Sequence, residues 1–275
     1  MLISALLLDC ESADALRNPR ANGDWFSLLW ANLTAGKKRV DDVDLQRLAI
    51  FTFNYERSVE QLFLSACMAT YGVPEEVAAK FVAKIRIEHL YGITTQLHAI
   101  HDEGTDFDCD RSQLHVAVER AQKEIWLIDD ERKQQETAFA DLRIAIERAS
   151  LVTFLGYGFD EVNDEKLGVR DVVTEVNRFN IELAEMRERV PKRQVWLQDD
   201  TISWRPTAED LAKLPKLKQL PRFQATTLGM SVREVAAAQA RMTTDTGRKR
   251  GQVEFLGKNC LDALREWGTF DVLRA

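Results

Sequence analysis

The chain has 275 residues, room for one large domain or for a domain with an appendage. Its 45% hydrophobic and 29% charged content is that of an ordinary globular protein and excludes a disordered or fibrous class. A net charge of −7 argues against a nucleic-acid-binding role, and the basic run GRKRG at 247–251 reads as a solvated turn.

In chain order, the apolar run at 2–8, inside MLISALLLDCES, is too short to cross a membrane. It also lacks the basic flank and small-residue cleavage site of a signal peptide, and reads as a helix or strand from within a domain. DWFSLLWANL at 24–33 has apolar residues at helical spacing, with Asp24 as its N-cap, and 36–44 is a polar connection. Residues 48–53 read as a buried strand. The stripe Val59, Leu62, Phe63, Ala66 and Cys67 predicts a helix over 56–71, ended by Gly72. A second helix spans 74–82, with Pro74 at its start. KIRIEHLY at 84–91 alternates as a strand does and is closed by Gly92, and 93–111 has the acids and aperiodicity of a loop. Helices follow at 114–123 and 131–149, the latter with Phe139, Leu142 and Ile146 on one face, and a strand at 151–155. Further on, 169–189 is a charge-rich helix, 193–205 a hairpin around Asp199 and Asp200, and 206–221 an irregular helix–loop insert. A strand at 223–228 leads to a helix capped by Ser231, where Glu234 completes a capping box, and 259–267 is a terminal helix. Strands alternating with helices predict an α/β fold: a mostly parallel sheet with helices on both faces.

Cys10, Cys67, Cys109 and Cys260 show no CxxC spacing, which fits a reducing cytoplasm better than a disulfide framework or a zinc site. His98, His101 and His115 with Asp102, Asp106, Asp108, Cys109 and Asp110 match no zinc pattern; HAIHDEGTDFDCD reads as an acidic loop, and no metal is expected. There is no GxSxG, HExxH or Walker-type loop.

The most informative segments are AIFTFNYERSVE at 49–60 and SLVTFLGYGFDEVN at 150–163. Each is an apolar strand that stops abruptly, the first at Asn54, Tyr55 and Glu56, the second at Gly156, Tyr157 and Gly158. Open α/β sheets bind ligands beyond the carboxyl ends of their strands, so both turns are expected at one edge of one sheet. TFNYERSVE at 52–60, HLYG at 89–92, FLGYGFDEVN at 154–163 and ATTLGMSVREV at 225–235, in this order, resemble the sirtuin-like NAD-binding family of bacterial proteins. Many members of that family are linked to defence against phage. DWFSLLWANL also resembles the segment that precedes the first motif there, while 166–220 carries no recognisable resemblance.

The resemblance implies a Rossmann-like domain over 1–240 with an insert at about 166–220, then a helical tail at 241–275. It implies NAD as ligand or substrate, with hydrolysis at the nicotinamide–ribose bond. Asn54 would contact the ribose and orient water near the anomeric carbon, where positive charge builds as nicotinamide departs; alternatively it caps the 56–71 helix. Tyr55 and Glu56 would pack and cap beside the cofactor. The family carries its histidine base immediately before the glycine of the second motif, a place held here by Tyr91 next to Gly92. A tyrosine, with an ordinary pKa of about 10, is a poor base near neutrality. His89 lies two residues earlier, on the same strand face and roughly 6–7 Å from Tyr91, and either takes over or is a satisfied core histidine. Gly156 and Gly158, flanking Tyr157, would admit a ribose or phosphate close to the backbone, or simply turn the chain. Asn163 would bond the adenosine side or cap the segment after it, and Thr226, Thr227 and Gly229 resemble an adenine-side turn.

Sirtuin-like domains open with a strand and a glycine-rich GAGAS-type turn that binds the pyrophosphate, and nothing in 1–45 resembles it. The expectation is an N-terminally shortened domain with an exposed sheet edge, which invites a homo-oligomer or a partner protein. Two functions are open to such a chain: a nicotinamide-releasing NAD hydrolase using Asn54 with His89 or Tyr91, or a non-catalytic nucleotide-binding or interaction module. Deacylation lacks the paired-cysteine zinc ribbon.

Overall fold

The structure is a computed structural model describing residues 25–100, 114–126, 133–196, 202–216, 218–242, 253–267 and 269. The expectations for 2–8, for Asp24, for most of the acidic loop, for the turn at Asp199 and Asp200 and for GRKRG lie outside the described residues. The described residues fall into two compact units, one within Met1–Ala145 and Gly257–Ala275, the other within Ile146–Leu256.

In the first unit, α1 (Trp25–Thr34) buries Phe26, Leu29, Trp30 and Leu33, one face at the i, i+3, i+4, i+7 spacing of a helix. Strand β1 (Ala49–Thr52) leads into α2 (Ser58–Tyr71), which ends at Gly72 in the left-handed conformation with φ 62°. Pro74 then starts α3 (Glu75–Val82), whose first turn carries Glu75 and Glu76, acids that the positive helix end favours. Strand β2 (Arg86–His89) pairs parallel with β1, from Ala49 opposite Arg86 to Thr52 opposite His89. Helices α4 (Leu114–Glu124) and α5 (Lys133–Arg148) come next. At the centre of the core lies the Phe63 ring, fully buried, edge-to-face with Phe26 at 4.9 Å and with Trp30 at 6.0 Å.

The second unit starts with β3 (Leu151–Phe154), then α6 (Glu161–Leu167) and α7 (Val169–Arg189), which share Gly168 at φ 63°. Valines 169, 172, 173 and 176 line the buried face of α7. An antiparallel pair, β4 (Arg193–Trp196) and β5 (Ile202–Arg205), matches the expected hairpin arms. After α8 (Ala208–Ala212) come β6 (Arg222–Thr226), α9 (Val232–Met242) and β7 (Val253–Leu256). Both β3 and β7 run parallel to β6, giving the order β3–β6–β7. The capping box of α9 is formed: Glu234 N–H donates to Ser231 Oγ, and Ser231 N–H to Glu234 Oε2 at 2.6 Å. Hydrogen bonds to the Glu234 carboxyl from the Ser231 side chain and backbone hold it below its ordinary pKa. The last helix, α10 (Cys260–Trp267), belongs to the first unit and packs on α1.

The fold is therefore mixed α/β with small parallel sheets, compatible with the Rossmann-like expectation. Among the described residues β1 and β3 lie in separate sheets, of two and three strands, each paired with a parallel strand of its own unit. The 241–275 region also holds a strand, β7, where only helix was expected; VEFL is four residues long and carries Glu254, too short a run to show a period. Among the described residues no helix is long and apolar enough to cross a membrane. Replacing Phe63 by alanine should cost about 3–5 kcal/mol of unfolding free energy, read by chemical denaturation. A loss below about 1 kcal/mol would mean the first unit is not organised around this ring.

Candidate functional site

Asn54 stands where β1 gives out. Its backbone N–H donates to Thr52 Oγ1 at 3.0 Å, and its exposed carboxamide donates through Nδ2 to Glu56 Oε1 at 3.1 Å. It does not cap α2: the N-cap position is Arg57, with no side-chain capping bond. Tyr55 donates its hydroxyl to the Trp126 carbonyl at 3.2 Å, and burial raises its phenol above the ordinary value.

His89 closes β2, opposite Thr52. Its ring lies between two acceptors: Nδ1 is 2.7 Å from the Asn54 carbonyl and Nε2 is 2.8 Å from Glu60 Oε1. The side chain is only 7% exposed and that of Glu60 13%, so the pair is largely shielded from water. Burial pulls the imidazole pKa down, but the Glu60 hydrogen bond and charge, the Asn54 carbonyl and the Glu56 charge outweigh it, and the net direction is up. With an acceptor facing each ring nitrogen, the arrangement favours the imidazolium, the form with no lone pair to take a proton.

Tyr91 does not share that environment. The strand stops at His89, and 90–91 form a turn, so the two-residue alternation no longer applies. Its ring is 3% exposed and packs on Phe53 and Phe139, with centroids 6.0 and 5.7 Å away. Beside it, Gly92 has φ 83° and lets another backbone approach: a Cβ there would lie 1.7 Å from the Glu124 carbonyl oxygen. Gly92 bridges to Ile125, and Trp126 N–H donates to the Tyr91 carbonyl at 2.8 Å. The HLYG motif is thus clasped by the chain at 124–126, and Gly92 is needed for that clasp.

A cavity of about 230 Å³ opens behind α2, walled by Ile85, Ile87 and Leu97 with Arg57, Glu60 and Gln96 as its polar side. The Arg57 side chain is fully buried and donates from Nη1 to the Gln96 carbonyl at 3.2 Å. Ligand pockets typically reach about 300–1,000 Å³, so this one suits a fragment rather than a dinucleotide.

The second set of expected residues lies in the other unit. Gly156, at φ 62° with open space around it, donates its N–H to Thr226 Oγ1 at 3.0 Å, which ties the end of β3 to β6. Gly158 is likewise unobstructed. Tyr157 donates its hydroxyl to Asp164 Oδ1 at 3.0 Å, and Arg241 donates from Nε to Asp164 Oδ2 at 2.6 Å. Burial raises the Asp164 carboxyl above its ordinary value, although bonds from Arg241 and Tyr157 pull the other way. A second Arg241 bond reaches the Phe159 carbonyl at 2.6 Å and braces Phe159, whose φ of 52° is rare for a residue with a Cβ. Around it Tyr157, Phe154 and Phe255 pack edge-on or tilted. Asn163 donates its N–H to Asp160 Oδ1, inside the N-cap of α6. Thr227 is buried and donates its N–H to the Leu256 carbonyl.

The structure therefore joins Asn54, Glu56, His89 and Gly92 in one strand-end region, and Gly156, Tyr157, Asn163 and Thr227 in another. Sequence reasoning missed Glu60, Arg57, Asp164 and Arg241. Each finds its partner across the fold, and only the placing of Arg57 and Glu60 within the first motif, TFNYERSVE, hinted at a role. Among the described residues no three His, Cys, Asp or Glu side chains are grouped to hold a metal ion. No protein-family model, curated protein or solved structure matches this chain. Gly92→Ala should lower stability by about 2 kcal/mol or more, because backbone must move, whereas Gly156→Ala should cost only about 1 kcal/mol for its φ. Equal losses in urea denaturation would show that the 124–126 clasp does not constrain the turn.

Proposed function

We propose that this chain is a sirtuin-like nucleotide-binding protein that holds NAD or a related nucleotide at the end of β1 without histidine-base turnover. The observation that carries this reading is the His89 imidazole, bonded at 2.7 and 2.8 Å to two acceptors and so unable to act as a base. Tyr91, buried among Phe53 and Phe139, offers no replacement. What supports a retained binding role is the exposed Asn54 carboxamide at a strand end, the position where parallel α/β units present polar groups to ligands. A hydrolase that uses Asn54 alone to orient water is the second reading, favoured by the same exposed side chain.

Mixing the protein with NAD tests both. The expected result is a rise in melting temperature with no nicotinamide release above the blank. Asn54→Ala should weaken NAD binding about tenfold, the loss of one or two ligand hydrogen bonds. Nicotinamide release abolished by His89→Ala would overturn the proposal and establish the hydrolase. Absence of any NAD-induced shift would remove the nucleotide and leave an interaction module.

A further inference from the structure

Besides the Tyr55 and Arg57 side-chain bonds to Trp126 and Gln96, the turn at 53–57 that presents Asn54 is held by three hydrogen bonds at the main chain of Asn54 and Tyr55. Asn54 N–H donates to Thr52 Oγ1, the Tyr55 carbonyl accepts from Thr94 N–H at 2.9 Å, and the Asn54 carbonyl accepts from His89 Nδ1. The first two do not depend on protonation. The third does, because a neutral imidazole has a single N–H and faces two acceptors here, the Asn54 carbonyl and the Glu60 carboxylate.

We propose that Glu60 is a positioning residue that keeps His89 doubly protonated and thereby sets the Asn54 peptide, making the β1–α2 turn a proton-controlled latch on nucleotide binding. The ligand in this statement rests on the nucleotide reading above; the latch itself rests on the geometry. Loss of one proton forces the ring to drop either Asn54 or Glu60. If it drops Asn54, the turn keeps only its outer bonds; if it drops Glu60, a shielded carboxylate loses its partner. In the first case the Asn54 peptide is released from the ring; in the second it keeps a neutral hydrogen bond in place of a stronger charge-assisted one.

The charged groups acting on His89 are Glu60 from α2 and Glu56 from the turn, both anions that favour the imidazolium. Arg57 borders the same cavity as Glu60 and bonds the Gln96 carbonyl. On β2 itself, Glu88 and Arg86 alternate away from His89, and Arg86 is occupied over the Phe51 ring at 5.1 Å and near Asp141 at 3.8 Å. With its pKa raised above 6.5, His89 contributes stability that is complete below that value and is lost as pH rises through the folded-state pKa. The latch is therefore closed below the folded-state pKa of His89 and opens as pH rises through it.

The whole chain has four histidines, so imidazole nitrogen NMR can follow each through a pH titration, with His89→Gln to assign the signal. At neutral pH both His89 nitrogens should carry protons, and the midpoint should lie above 6.5. Glu60→Gln should drop the midpoint below that value, because burial remains while the carboxylate is gone. The NAD-induced rise in melting temperature should shrink as His89 deprotonates, and in Glu60→Gln it should shrink at lower pH. A neutral His89 at neutral pH in the native chain overturns the proposal without any variant, as does an NAD shift that is flat across the titration. If NAD gives no shift at any pH, the nucleotide reading fails. The latch is then judged by the Asn54 amide resonance, which must move with the His89 midpoint for the latch to stand and refutes it by staying still.

Discussion

An imidazole set between a peptide carbonyl and a carboxylate has little freedom. Both neighbours accept hydrogen bonds and neither can donate while Glu60 is ionised, so His89 keeps both bonds only by carrying a positive charge. Three pieces of chain meet at this ring: the last residue of β2, the turn leaving β1 and the first turns of α2. Sequestering an ion pair from water is costly, and such pairs are weak contributors to net stability. What the pair supplies is registration, because the β1–α2 turn has one position in which both nitrogens are satisfied. The chemistry open to the first strand end is set by that choice, which exchanges a base for a fixed peptide.

The second strand end is fixed by other means. There the FLGYGFD segment is packed by rings, with Tyr157 and Phe159 4.7 Å apart edge-on, and is tied by Arg241 to both a side chain and a main-chain oxygen. Residues whose types suggest ligand contacts thus have structural work as well. Tyr157 spends its hydroxyl on Asp164, Gly92 makes room for a neighbouring backbone, and Thr226 receives the N–H of Gly156. Gly156 and Gly158, with open space where a Cβ would stand, are the members of the second motif whose residue type is not explained by close packing.

What could be read from the sequence was local. The α2 stripe and its stop at Gly72, the Pro74 start, the full length of α7 and the Ser231–Glu234 box all depend on residues within one or two turns of each other. Strand partnership depends on distant residues: nothing in AIFT or LVTF states that one pairs with RIEH and the other with RFQAT. The same limit governs the site. Asn54 is visible as the polar stop of an apolar run, but His89 is understood only through Glu60, and Asp164 only through Arg241, partners separated by 29 and 77 residues. Tyr91 illustrates the opposite error, in which a valid strand period is carried two residues past the strand's end.

The placing of α10 bears on the order in which the protein takes shape during synthesis. The second unit is one uninterrupted stretch, Ile146–Leu256, whereas the first draws on residues from both sides of it. Chains leave the ribosome from the N-terminus at about 5–20 residues per second, and domains tend to fold as they emerge. The unit later in sequence therefore has all its strands in hand before the earlier one has its last helix. Until Cys260–Trp267 arrives, part of the apolar face of α1 lacks the helix that packs on it. The first unit is thus completed by residues made after the whole of the second.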